Sequence, residues 1–210
     1  MEIQKIKRIR GNNEMGTYTI EEYMARIKDF HGSTAPGLVI GGFMVHHALG
    51  HLPDGEFFDA LCETASCLPD AVQLLMPCTT GNGWMKVIDL SRFAITLYNK
   101  YTGIGIRVHL DAKKLENWPE IKSWFFRLKP KKEQNFQRLM DQIIEAGTSL
   151  FGTKTVQVKP ELTALTSLGS KTALCTSCGE AFKVVDGPVC PACRGNSPYT
   201  RLSSFYGRAD

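Results

Sequence analysis

The chain has 210 residues, of which 43% are hydrophobic, 10% aromatic and 22% charged. That is the balance of an ordinary globular protein and excludes a disordered or collagen-like chain. At ~100–200 residues per domain the length allows one full domain plus a small module, or two small domains, and a net charge of +4 is too small to demand a nucleic-acid partner.

Met1 to Met15 is basic and reads as loosely held. Thr19 begins a helix. Thr19-x-x-Glu22 forms a capping box, and Ile20, Tyr23, Met24 and Ile27 recur at helical spacing. The helix ends near Phe30, before the loop His31-Gly32-Ser33-Thr34-Ala35-Pro36-Gly37. Leu38 to Leu49 reads as a second helix, apolar nearly all round and so buried. Gly41-Gly42 weakens it unless another backbone packs closely there. The longest apolar stretch, Gly37–Leu49, is shorter than the ~20 residues of a bilayer span. With no apolar leader in Met1–Arg10, the expectation is a cytoplasmic protein with no membrane contact.

Phe57–Ala65 reads as a strand, Pro69–Met76 as a short helix, and Cys78–Gly83 as a turn-rich loop. Met85–Leu90, Phe93–Asn99 and Gly105–Leu110 read as three strands of an antiparallel meander. Glu120–Leu128 and Lys132–Ala146 read as helices split at Pro130, and Thr155–Val158 as an isolated strand. Pro160–Thr172 reads as a linker. The expected fold is therefore α+β, an antiparallel sheet packed with helices, plus a small C-terminal four-cysteine zinc ribbon. The expected boundaries are 1–160 for the core domain, 161–173 for the linker and 174–210 for ribbon and tail.

Seven cysteines are the unusual count. Cys175-x-x-Cys178 and Cys190-x-x-Cys193 are separated by 11 residues. Two tight turns supplying two thiolates each meet the tetrahedral demand of Zn²⁺. A hairpin built from Phe182–Val185 and the Asp186-Gly187 turn is expected between them. Redox CxxC pairs and iron–sulfur or rubredoxin-like iron sites are the alternatives. A closed four-thiolate zinc leaves no position for substrate, so its role is structural. Residues 171–210 carry five cations and three acids, and zinc with four thiolates contributes −2, so this segment is neutral overall. It therefore suits a protein contact, with Pro198, Tyr199, Phe205 and Tyr206 as an apolar edge, better than nucleic acid. Basic runs at Lys5–Arg10 and Lys129–Lys132 keep a nucleic-acid-binding regulator as one alternative function.

His31 opens the loop before a buried helix, Cys67 begins a short helix, and Cys78 lies on a glycine-containing loop. Converging on one cleft, they would offer imidazole and thiolate to Zn²⁺ or another divalent metal. A helix N-terminus lowers a thiol's pKa, which makes Cys67 a candidate nucleophile. Asp70 caps that helix or orients a ligand. Ser33 and Thr79 stand beside the same cleft. Cys62 reads as core. His46 and His47, adjacent on a helix, point in different directions, and His51 and His109 read as surface residues.

Phe30-His31-Gly32 with Pro36-Gly37, Cys67-x-x-Asp70-Ala71-x-Gln73, Cys78-Thr79-x-Gly81-x-Gly83 and the strand Phe93–Tyr98 occur in an order that resembles the FmdE family, named for a component of formylmethanofuran dehydrogenase. The strand Ile106-Arg107-Val108 and the C-terminal cysteine pairs extend that order, and the cysteine pairs resemble a ribbon that many members carry. The resemblance covers about Tyr18–Val108 and Leu174–Arg194. It implies an α+β core that forms a homodimer, with a metal or small ligand in a cleft lined by His31, Cys67 and Cys78. The named activity belongs to a molybdenum or tungsten enzyme of several different chains whose redox chemistry lies in the other components, so an accessory role in one-carbon or redox metabolism is implied. An enzyme using Cys67 and Cys78 directly is a further alternative. The family's first motif reads His-Gly-His-x-Cys-Pro-Gly. Here Ser33 and Ala35 replace its second His and its Cys, and neither supplies a soft donor.

Overall fold

A computed structural model describes residues 14–15, 18–53, 56, 58–163, 171–184 and 187–199. The chain divides into two units, one up to Thr163 and one from Ala164. The basic run Lys5–Arg10 and the aromatic pair Phe205 and Tyr206 lie outside the described residues.

The first unit opens with a short antiparallel pair, β1 (Glu14–Met15) and β2 (Tyr18–Thr19). Helix α1 (Ile20–His31) starts as its sequence demands. The Thr19 hydroxyl accepts from the Glu22 N–H at 3.2 Å, and the Thr19 N–H donates to the Glu22 carboxylate at 2.9 Å. It stops at Gly32, whose φ of 83° only glycine adopts cheaply. Helix α2 (Pro36–Leu49) is the centre of the unit. Ten of its 14 residues are buried, among them Leu38, Val39, Ile40, Phe43 and Met44. It packs against α3 (Leu68–Leu75), the sheet and α5 (Phe136–Ala146). At ~1.5–3 kcal/mol for each large apolar side chain fully buried, α2 anchors the core. Gly41 has its packing reason: a Cβ there would lie 2.7 Å from the Ala71 Cβ, so α3 occupies the missing side chain's place.

Five strands form one sheet in the order β4-β3-β5-β6-β7. They are β3 (Asp59–Cys62), β4 (Met85–Val87), β5 (Ala94–Tyr98), β6 (Ile104–Leu110) and β7 (Phe151–Gln157). The sheet is mixed, which corrects the expected meander. β3 enters between β4 and β5, parallel to β4 and antiparallel to β5. The reason is connection length. Residues 63–84 hold α3 and make a crossover long enough for a parallel return, whereas a hairpin would need only a tight turn. All four β3 residues are buried, as a central strand requires.

β7 is not isolated. It pairs along its whole length with β6, from Ile104↔Gln157 to Leu110↔Phe151. Gly152 disguises it in the sequence, yet the His109 ring lies where a Cβ at that position would go, so any side chain there would have to displace the ring. α4 (Pro119–Phe125) and α5 follow the expected helices with later starts or earlier ends. A four-residue helix, α6 (Pro160–Thr163), stands where the linker was expected to begin. No helix among the described residues is long and apolar enough to cross a membrane.

The second unit holds β8 (Thr172–Leu174) and β9 (Ala181–Lys183), an antiparallel pair with Ala173 opposite Phe182. β8 begins inside the stretch read as linker. The hairpin spans the first cysteine pair rather than lying between the two pairs, because Phe182 pairs back to Ala173 and not forward. Asp186 of the expected turn lies outside the described residues. Ala192–Asn196 form a single helical turn broken at Gly195, φ 102°.

Candidate functional site

The hairpin turn shapes the first half of the C-terminal cluster. Cys175 follows β8, its N–H donates to the Glu180 carbonyl at 2.8 Å, and the Gly179 N–H donates back to the Cys175 carbonyl at 2.9 Å. Gly179 takes φ 78° to close that knuckle. The second half comes from Cys190 and from Cys193 in the helical turn. The Cys190 N–H donates to the Cys175 sulfur at 3.3 Å. All four Sγ atoms lie within 4.8 Å of one another, with Cys178 and Cys190 3.9 Å apart. A Zn–S bond of ~2.3 Å in a tetrahedron separates sulfurs by about 3.8 Å, so the cage is zinc-sized. The backbone N–H groups of Cys190 and Cys178 hold the Cys175 thiol below its ordinary value, whereas the crowding of the other sulfurs pushes Cys178 and Cys193 up, so without a metal the cage shares its protons unevenly. The residues therefore fit a four-thiolate zinc. Cys175 and Cys190 are buried and Cys178 and Cys193 exposed.

The N-terminal candidates separate into two places. In the first, His31 Nδ1 lies 2.8 Å from an Asp70 carboxylate oxygen, both side chains about one third exposed. His31 ends α1 and Asp70 stands in the first turn of α3, so each also faces a complementary helix dipole. Cys67 caps α3 with a left-handed φ of 58°, and a Cβ on Gly37 would lie 2.8 Å from its sulfur. α2 and Cys67 are thus in close contact. Tyr23, fully buried beside them, donates its hydroxyl to the Leu38 carbonyl at 3.1 Å. Ser33 and Ala35 line a cavity of about 800 Å³ at the start of α2.

Cys78 belongs to the second place. It is fully buried, and its thiol donates to the Phe58 carbonyl at 3.2 Å. Burial pushes it up to about 12, with Asp59 and Cys62 adding to the effect. Cys62 is core as expected, beside Met85. Cys67 is also raised, by burial and then by Asp70, so the lowering expected from the helix N-terminus is outweighed. Thr79 builds its loop: its hydroxyl accepts from the Asn82 N–H and its N–H donates to the Asn82 side chain, each at 3.0 Å. Among the described residues the C-terminal cysteines are the one group of three or more His, Cys, Asp or Glu with ligand atoms this close. His31, Cys67 and Cys78 are not gathered as the sequence suggested.

One buried ion cluster escaped the sequence reading. Glu63, just after β3, receives Arg107 of β6 in a two-pronged pair at 2.6 and 2.8 Å and Arg92 at 2.8 Å. The hydrogen bonds from Arg107, followed by its charge and that of Arg92, hold the Glu63 carboxyl below the usual range against the opposing effect of burial. The signal available was an acid directly following the apolar run Ala60-Leu61-Cys62. Nothing in its neighbours named Arg107, 44 residues away.

The FmdE family model, described as "FmdE, Molybdenum formylmethanofuran dehydrogenase operon", matches residues 30–158. A second, "FmdE treble clef zinc finger", matches residues 168–200, in keeping with a knuckle followed by a helical turn. A crystal structure of an FmdE-like protein of the tungsten formylmethanofuran dehydrogenase type, from Syntrophus aciditrophicus, is 46% identical, with a TM-score of 0.81 over 90% of this chain and 98% of that one. A curated relative from Archaeoglobus fulgidus, described as a probable S-adenosyl-L-methionine-binding protein, is 26% identical over 193 residues. The alignment takes in 82% of this chain but 52% of that relative, so the chain spans about half its length.

Proposed function

The chain belongs to the FmdE family, and on that premise we propose that it is a metal-binding accessory or stand-alone member without redox chemistry of its own. Its C-terminal module is held by one structural zinc, and its N-terminal unit receives a small organic ligand in the cleft beside Ser33 and Ala35. The four-sulfur cage is the observation that carries the metal-binding reading. The cleft goes to an organic ligand and not to a second metal, because Ser33 and Ala35 supply no soft donor and Cys78 is turned to the Phe58 carbonyl. The protein works as a homodimer, as the family resemblance implies, and its place of work is the cytoplasm. S-adenosyl-L-methionine, named in the description of the Archaeoglobus relative, is a ligand to test.

Metal analysis of purified protein tests this reading. It expects close to one zinc per chain, falling to near zero in Cys175→Ser. A Cys175→Ser protein that keeps its full zinc overturns the cage, and two metals per chain overturn the assignment of the cleft. Sedimentation as a monomer at micromolar concentration overturns the homodimer.

A further inference from the structure

The cavity at the start of α2 has a lining that the family motif does not explain. Trp124 and Phe136 supply aromatic faces, and Arg127, Lys129 and Lys131 supply three cations. No acidic residue lines it among the described residues. None of the three cations has an ion pair among the described residues. Its volume of about 800 Å³ is that of a small-molecule site. Arg127 takes a left-handed φ of 54° as α4 ends, and its N–H donates to the Trp124 carbonyl at 3.2 Å. That turn carries Arg127, Lys129 and Lys131 to the same cavity as Trp124 instead of spreading them along a helix.

We propose that this cavity binds a small organic anion, a flat ring bearing an acidic group, with the ring against Trp124 and Phe136 and the acid among Arg127, Lys129 and Lys131. The chemistry is specific in two ways. Aromatic walls hold a planar ring by stacking. Three cations with no acid among them favour a negative group and disfavour a net cation. The inference deepens the small-ligand reading of the cleft and rests on it. It also gives the basic run Lys129–Lys132 a use other than nucleic-acid binding.

Titration calorimetry of the intact zinc-loaded protein with 1-naphthyl phosphate, 1-naphthol and inorganic phosphate tests it. The phosphate ester is expected to bind about tenfold more tightly than either half. Lys129→Gln/Lys131→Gln is expected to weaken the ester by about tenfold and leave 1-naphthol unchanged. These are exposed positions, so circular dichroism and zinc content should stay as in the parent. Trp124→Leu should weaken ester and naphthol alike. Equal binding of ester and naphthol keeps a small-ligand cleft and removes the anion. Failure of all three probes to bind overturns the cleft as well. An oligonucleotide that displaces the ester and is itself weakened by the lysine changes overturns the inference in favour of a nucleic-acid surface. Sedimentation showing a second copy lost on Phe136→Ser, with no ester bound, overturns it in favour of a dimer face.

Discussion

The two units reach order by different physics. The N-terminal unit has a continuous apolar core running from Ile20 to Phe151. In the C-terminal unit the buried side chains among the described residues are Cys175 and Cys190. Leu174 and Tyr199 are exposed and Phe182 is only half-buried. A segment this short cannot enclose enough apolar surface to offset its chain entropy, so a metal takes the place of a core. The lesson is that sequence composition reports on one unit and ligand spacing on the other.

Stripping zinc is the sharpest way to break that contrast. Structural zinc contributes roughly 10–16 kcal/mol to the folding of small modules. A chelator should therefore unfold residues from 171 onward and leave the N-terminal sheet intact. Hydrogen exchange resolves the two, and protection that survives in β8 and β9 without metal would end the comparison. Next in size is Glu63→Gln, which leaves Arg107 uncompensated in a largely buried place and should cost about 3–5 kcal/mol. The same pair sets an acid dependence. The Glu63 carboxyl is held low in the folded state, so its contribution is present above the unfolded value of about 4.3 and is lost as pH falls through the folded one. Denaturant midpoints of parent and Glu63→Gln should converge as pH drops below about 4.

Ile40→Ala, at the centre of α2, should cost about 2–5 kcal/mol and lower the denaturant midpoint without touching zinc content. The smallest effect belongs to Thr19→Ala. Loss of the capping box should cost about 1 kcal/mol, visible as a lower melting temperature with the fold unchanged.

What the sequence disclosed follows the range of the interactions. The capping box at Thr19 and the close approach at Gly41 are local or encoded in residue size, and each was readable. The four cysteines were readable because zinc fixes their number and spacing. The insertion of β3 was not, since a buried central strand carries no alternation to say which neighbours flank it. β7 was seen only at its end because Gly152, packed beneath the His109 ring, breaks the strand signal. The cleft was half legible. His31 and Asp70 meet, but Cys78 went elsewhere because its hydrogen-bond partner, the Phe58 carbonyl, is a backbone group with no sequence signature. The cavity cations lie on a turn made by Arg127 in a conformation no residue type announces.

The place of β3 has a temporal consequence. During synthesis Asp59–Cys62 leaves the ribosome well before either strand that will flank it. At ~5–20 residues per second, the 36 residues from Cys62 to Tyr98 take roughly 2–7 s to add. Until Val87 completes β4, 25 residues after Cys62, this buried strand has both edges open, and it keeps one open edge until Tyr98; α2, already complete and mostly apolar, is the element nearest before it in the chain. A contact between these two segments is therefore open to the nascent chain before any sheet exists.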